Sequence, residues 1–142
     1  MPVEWHTGGL KLTDAPLWFD ARRRADGCFV SHAHTDHIAR HARAYGTRET
    51  LALMQHRVGP PDEAVALAYG EPFALGGLTL ELFPAGHVLG AAQVRVTRPD
   101  GHRIVYTGDF SPGPFLTART AETPACDTLV MEATFGHPKY RF

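Results

Sequence analysis

A mixed α/β layer structure, with helix packed on a largely antiparallel sheet, is the fold class this sequence predicts. Three observations predict it. Short apolar runs open the chain, a helical stretch follows, and strand-like runs return in the second half. The segment QVRVTRPDGHRIVY alternates on both sides of a Pro-Asp-Gly turn, which signals a hairpin. Gly and Pro number 14 and 11 in 142 residues, so turns should be many and helices short.

Taken in order, Leu10 to Asp20 reads as two short strands around a turn at Asp14-Ala15-Pro16. Cys28-Phe29-Val30 is an apolar run after Asp26-Gly27, hence a buried strand. Ile38, Ala42 and Tyr45 recur at helical spacing, which predicts a helix from Asp36 that Gly46 stops. Thr50 to Arg57 predicts a second short helix, ended by Gly59-Pro60-Pro61. Four strands should follow: Ala64 to Tyr69, Leu78 to Phe83, Ala92 to Thr97 and Arg103 to Thr107. Phe110 to Pro124 reads as irregular, and Asp127 to Glu132 as a final buried strand.

The chain is 44% hydrophobic and 20% charged, with net charge −1. That excludes a strongly basic nucleic-acid binder, but not a nuclease working through metal and a few arginines. No apolar run is long enough for a transmembrane helix, and no signal-peptide pattern opens the chain. Cys28 and Cys126 stand apart without a CxxC, which fits a cytoplasmic location.

Histidine is the anomalous residue, with nine in the chain. His32, His34 and His37 fall with Asp36 in the pattern H-x-H-x-D-H. His32 and His34 lie two apart at a strand end, so in extended backbone they point the same way. A turn into the next element would swing Asp36 and His37 to a neighbouring point. Neutral imidazole and carboxylate suit zinc, and also manganese or iron. His87 stands between Gly86 and Gly90 just past a strand. Asp20, Asp109 and Glu132 each close a strand-like run. A site built from loops along one sheet edge would gather them. Arg40 and Arg43, three apart on the expected first helix, would share a face open to substrate phosphate.

H-x-H-x-D-H, the isolated His in PAGHVLGAAQV and the later YTGDFS resemble the successive motifs of the metallo-β-lactamase superfamily, from Asp20 to Glu132. With LVMEATFG, they resemble its β-CASP branch, the nucleases of RNA 3′-end processing and DNA repair. MEATFGHPKYRF is similar to bacterial DNA-ligase-associated exonuclease-like members. The resemblance implies an αββα sandwich and two zinc ions, with manganese as an alternative. It implies that His32, His34 and His87 hold the first metal, that Asp36 and His37 hold the second, and that Asp109 bridges both. Asp20 would support the histidine loop. Asp36 would take or orient a proton of the attacking water, and Glu132 would take part in proton transfer or orient a ligand histidine. The substrate would be DNA or RNA, with a link to a DNA ligase.

Family members continue well past this point. Residues 1–142 are therefore expected to be the N-terminal portion of the metallo-β-lactamase domain, with the β-CASP insert and the C-terminal half absent. The first metal position would be complete, the second short of one histidine, and the chain alone nearly inactive. Two other readings compete: a thioesterase-like hydrolase of the same fold, and a non-catalytic metal-binding fragment.

Overall fold

A computed structural model describes residues 1–141. The strands are β1 (Val3–His6), β2 (Gly9–Leu12), β3 (Trp18–Phe19), β4 (Gly27–Phe29), β5 (Arg43–Gly46), β6 (Glu63–Ala66), β7 (Phe73–Leu75), β8 (Leu78–Pro84), β9 (Ala92–Thr97), β10 (Arg103–Tyr106) and β11 (Thr128–Val130). One α-helix, α1 (Arg48–Val58), lies between β5 and β6, and a 3₁₀ turn spans Thr35–His37.

The strands form two sheets, one of six in the order β1-β2-β3-β4-β5-β6 and one of five in the order β11-β10-β9-β8-β7. In the first, β1 to β3 pair antiparallel and β3 to β6 pair parallel. In the second, β7 to β10 pair antiparallel and β11 joins β10 in parallel. Parallel neighbours need crossovers. The β5–α1–β6 unit is one, and residues 30–42, which carry the histidines, form another.

Alternation along the strands builds the layers. Phe29 faces inward to meet Leu10, Phe19, Leu80, Leu82, Val94, Val96 and Ile104, all nearly or fully buried between the sheets. Cys28 and Val30 face outward and pack with Ile38, Leu51 and Met54 beneath α1. Thr47 caps α1, its hydroxyl accepting from Thr50 N at 3.2 Å, and Gly59 closes it at φ 89°. On the far face of the second sheet, Arg95 pairs with Glu81 at 2.6 Å and lies over Phe83.

The mixed two-sheet class, the helix over Thr50 to Arg57 and the β9–β10 hairpin appear as expected. The helix expected from Asp36 does not form. Only the 3₁₀ turn follows Thr35, and Arg43–Gly46 is a strand held between β4 and β6. Tyr45, 2% exposed, packs in the inter-sheet core, so its helical spacing from Ile38 was incidental. The last strand is shorter than expected and half exposed, because it pairs only with β10. The short edge strands β1 and β7 went unread, β1 because its side chains are largely exposed and show no apolar alternation.

Candidate metal centre

The ends of five strands converge on one point. Asp20 follows β3, Ser31 to His37 follow β4, and His87 follows β8. Asp109 and Glu132 follow the parallel pair β10 and β11. Asp20 and His87 hold positive φ, 44° and 66°. Non-glycine residues rarely adopt that conformation, and it is typical of strained functional positions. Gly108, at φ 56°, is required because a Cβ there would run into the Ser31 side chain.

His32, His34 and His87 form a near-equilateral triangle, with ring centroids 4.8, 4.8 and 4.9 Å apart. His87 Nε2 lies 3.1 Å from His34 Nδ1. Asp109 Oδ2 lies 3.4 Å from His32 Nε2 and 3.5 Å from His87 Nε2. The ligand atoms of these four residues all lie within 4.8 Å of one another. A tetrahedral ion with bonds near 2.1 Å has ligand–ligand edges of about 3.4 Å, so the spacing fits one divalent ion.

The other oxygen of Asp109 faces elsewhere. Oδ1 lies 3.5 Å from His37 Nε2, and Asp36 Oδ2 lies 3.4 Å from the same nitrogen. Asp36 is mostly exposed, its side chain 65% accessible. One carboxylate thus presents one oxygen to each of two donor groups.

Asp20 sets the histidine tautomers. It is nearly buried and accepts from Ser31 N at 2.7 Å, Ser31 Oγ at 2.6 Å, Tyr106 OH at 2.8 Å and His37 Nδ1 at 3.0 Å. Ser31 Oγ, having donated to Asp20, accepts from His32 Nδ1 at 2.9 Å. Both histidines therefore carry a proton on Nδ1 and turn Nε2 toward Asp109. Asp20 is itself near His32 and His37. Its oxygens are already satisfied by these donors.

His32 Nε2 is the atom that most needs a partner. It is buried and makes no hydrogen bond. Burial, with His37 nearby, lowers the His32 pKa to about 3, so the ring is neutral at pH 7. That is the protonation state a metal ligand requires. Burial also lowers the His87 pKa, against the pull of Asp109. His37 goes the other way. Burial opposes its protonation, but the Asp20 hydrogen bond and the charges of Asp20, Asp109 and Asp36 raise its pKa above the usual value. The donor set fits a divalent metal.

Glu132 sits at the rim of the same cleft of about 530 Å³ that contains Asp36, His37 and Asp109. It accepts from Phe110 N at 2.9 Å and so pins the loop just after Asp109. Arg40 and Arg43 are not brought to the site. They share no helix face. Arg40 Nε donates to Pro60 O, and Arg43 pairs with Glu63 at 2.6 Å. Arg43 pairs in register with Gly27, at the end of the sheet away from the histidines. The sequence reading missed Ser31 and Tyr106. Ser31 adjoins the histidine motif and could have been suspected. Nothing local marks Tyr106, which meets Asp20 86 positions away.

Residues 8–141 match the family model described as Beta-lactamase superfamily domain. The chain is 36% identical over 137 residues to a protein of Opitutus terrae named Probable DNA ligase, covering 94% of this chain and 13% of that protein. It is 31% identical over 161 residues to Ribonuclease TTHA0252 of Thermus thermophilus, covering 89% of this chain and 36% of that protein. The chain thus spans about a third or less of these two relatives. Among solved structures, the metallo-β-lactamase fold protein YhfI of Bacillus subtilis superposes with a TM-score of 0.53 at 19% identity, over 70% of this chain and 52% of that one. This likeness concerns the fold.

Proposed function

The chain belongs to the metallo-β-lactamase superfamily and sits with its β-CASP nuclease branch, and from that premise we propose that it carries the catalytic metal centre of a phosphodiester hydrolase acting on DNA or RNA. The observation that carries the reading is Asp109, whose two oxygens face two separate groups of histidine nitrogens. His32, His34 and His87 would hold one zinc or manganese ion. His37 and Asp36 would hold a second, with Asp109 shared. Two such ions supply a nucleophile at neutral pH and stabilise charge on the phosphoryl oxygens.

The chain's own residues do the remaining work. Asp109, with one oxygen facing each group, would be shared by the two ions. Asp20 holds His37 directly and His32 through Ser31, so neither ring can turn away. Asp36 is exposed at the cleft and placed to take or orient a proton of the attacking water. Burial opposes it, but hydrogen bonds from Thr134, side chain and backbone, and from Phe110 N hold the Glu132 carboxyl below its usual pKa. Glu132 is then an anion at neutral pH and anchors the Asp109 loop.

Similarity to a ribonuclease and to a protein named as a DNA ligase supports a nucleic-acid substrate and a link to ligation. Among the described residues no helix is long and apolar enough to cross a membrane. Both cysteines are free, which supports a cytoplasmic setting.

Metal-loaded protein at the full length of its relatives should cleave single-stranded DNA or RNA. Asp36→Asn should abolish cleavage and leave most of the metal in place. Turnover of a thioester or a β-lactam without nucleic-acid cleavage would overturn the proposal. The isolated chain should hold one metal tightly and a second weakly.

A further inference from the structure

The loop that carries His87 has a second role. Through Leu89 and Gly90 it forms one wall of a separate cavity of about 560 Å³. Leu67 and Tyr69 line it from the end of β6, Arg48 from the start of α1, and Thr117 and Arg119 from the irregular segment. The volume suits one nucleotide and falls within the usual range of small-molecule sites.

Two guanidinium groups reach this cavity with donors to spare. Arg119 stacks 4.9 Å over the Tyr69 ring and makes no hydrogen bond or ion pair among the described residues. Arg48 is 86% exposed, and among the described residues its side chain has one polar partner, its neighbour Glu49 at 3.5 Å. Glu49 is the one carboxylate in the lining. Four other arginines are paired with carboxylates: Arg24 with Asp62, Arg43 with Glu63, Arg95 with Glu81 and Arg103 with Asp127.

The wall is fixed. Gly90 O accepts from Thr47 Oγ1 at 2.8 Å and from Thr50 Oγ1 at 3.0 Å. A Cβ on Gly90 would lie 2.8 Å from both Thr47 Oγ1 and Glu49 Cβ, so only glycine lets the loop approach α1 this closely. Gly90 is three residues from His87, which is at most about 11 Å of chain. A neighbouring nucleotide of a bound strand can cover that distance.

We infer that this cavity is a subsite for single-stranded nucleic acid, taking a nucleotide that flanks the scissile bond. Arg48 and Arg119 would meet its phosphate. The Arg119–Tyr69 stack and Leu89 would meet its base, as guanidinium planes and apolar side chains do in single-strand recognition. The inference rests on the nuclease reading above.

The test is fluorescence anisotropy of a labelled oligothymidylate with the metal-loaded protein, across a range of NaCl concentrations. Each lost phosphate contact should make the slope of log affinity against log salt shallower by about 0.7. Arg48→Gln and Arg119→Gln should each show that change, with metal content and urea midpoint unaltered. Arg119→Lys should weaken binding and keep the slope, because the charge remains and the plane is lost. Leu89→Ala should do the same. Wild-type binding with unchanged slopes in both glutamine variants would overturn the subsite and leave the nuclease reading standing. A metal-loaded wild type that binds no oligonucleotide would overturn the nuclease reading itself.

Discussion

Replacing Asp20 with asparagine tests how the centre is held. Asp20 accepts four hydrogen bonds, three of them at Oδ2 from Ser31 Oγ, Tyr106 OH and His37 Nδ1. An amide nitrogen in place of Oδ2 would face three donors. The two hydroxyls can rotate and accept. His37 can adapt only by moving its proton to Nε2, the nitrogen that faces Asp109. The opposite amide orientation would instead set its nitrogen against the buried Ser31 N–H. Either way at least one charge-assisted bond is lost and others weaken. At about 1.5–3 kcal/mol for a hydrogen bond to a charged group, the cost should be roughly 3 kcal/mol. With an m-value near 2 kcal/mol/M, the urea midpoint should fall by about 1.5 M. Metal affinity at the His37 position should drop about 10- to 100-fold, as expected when the partner of a ligand histidine is removed. The assay pairs urea unfolding with calorimetric zinc titration. An unchanged midpoint together with unchanged zinc affinity would refute the tautomer argument.

His87→Ala should remove the tightly held metal, whereas His37→Ala should barely alter it; metal analysis after dialysis decides, and the reverse pattern would reassign the sites. Stability should fall on acidification through His41. It is fully buried, Ala25 N donates to its Nδ1 at 3.2 Å, and Nε2 has no partner. Burial lowers its pKa to about 4. The unfolded chain takes up the proton near pH 6.5 and the folded one only near 4. The unfolded state therefore binds more protons across that window, and stability drops as pH falls through it, by up to about 3 kcal/mol. His41→Asn should lessen this dependence in urea melts compared at pH 7.5 and pH 5, leaving the part that His32 contributes by the same linkage. Gly108→Ala, which forces a Cβ against Ser31 at a left-handed position, should cost about 1–3 kcal/mol and lower zinc affinity through Asp109, both read in the same two assays.

The histidine cluster was legible because its residues are local. His32, His34, Asp36 and His37 lie within six residues, and no helix or turn requirement explains three histidines there. Asp20, His87, Asp109 and Glu132 were legible as polar residues closing apolar runs, since a strand end is where a sheet hands the chain to a loop. The long-range contacts were not. That Asp20 would meet Tyr106, or that Thr47 would staple Gly90, depends on how two sheets pack, and neither pair has a sequence signature. The misread helix after Asp36 has a related cause. Ile38 and Tyr45 face two different cores, one beneath α1 and one between the sheets. Their spacing imitated a single helical stripe. Arg40 and Arg43 were misplaced with it, because their shared face existed only on that helix.

X-ray absorption at the zinc edge, on the chain loaded with two equivalents, addresses the central claim directly. The account predicts a first shell of nitrogen and oxygen near 2.0–2.2 Å and a metal–metal vector near 3.5–4 Å that disappears in Asp109→Ala. Sulfur scattering near 2.3 Å, placing the metal on Cys28 or Cys126, or a metal–metal vector that survives the loss of Asp109, would contradict it.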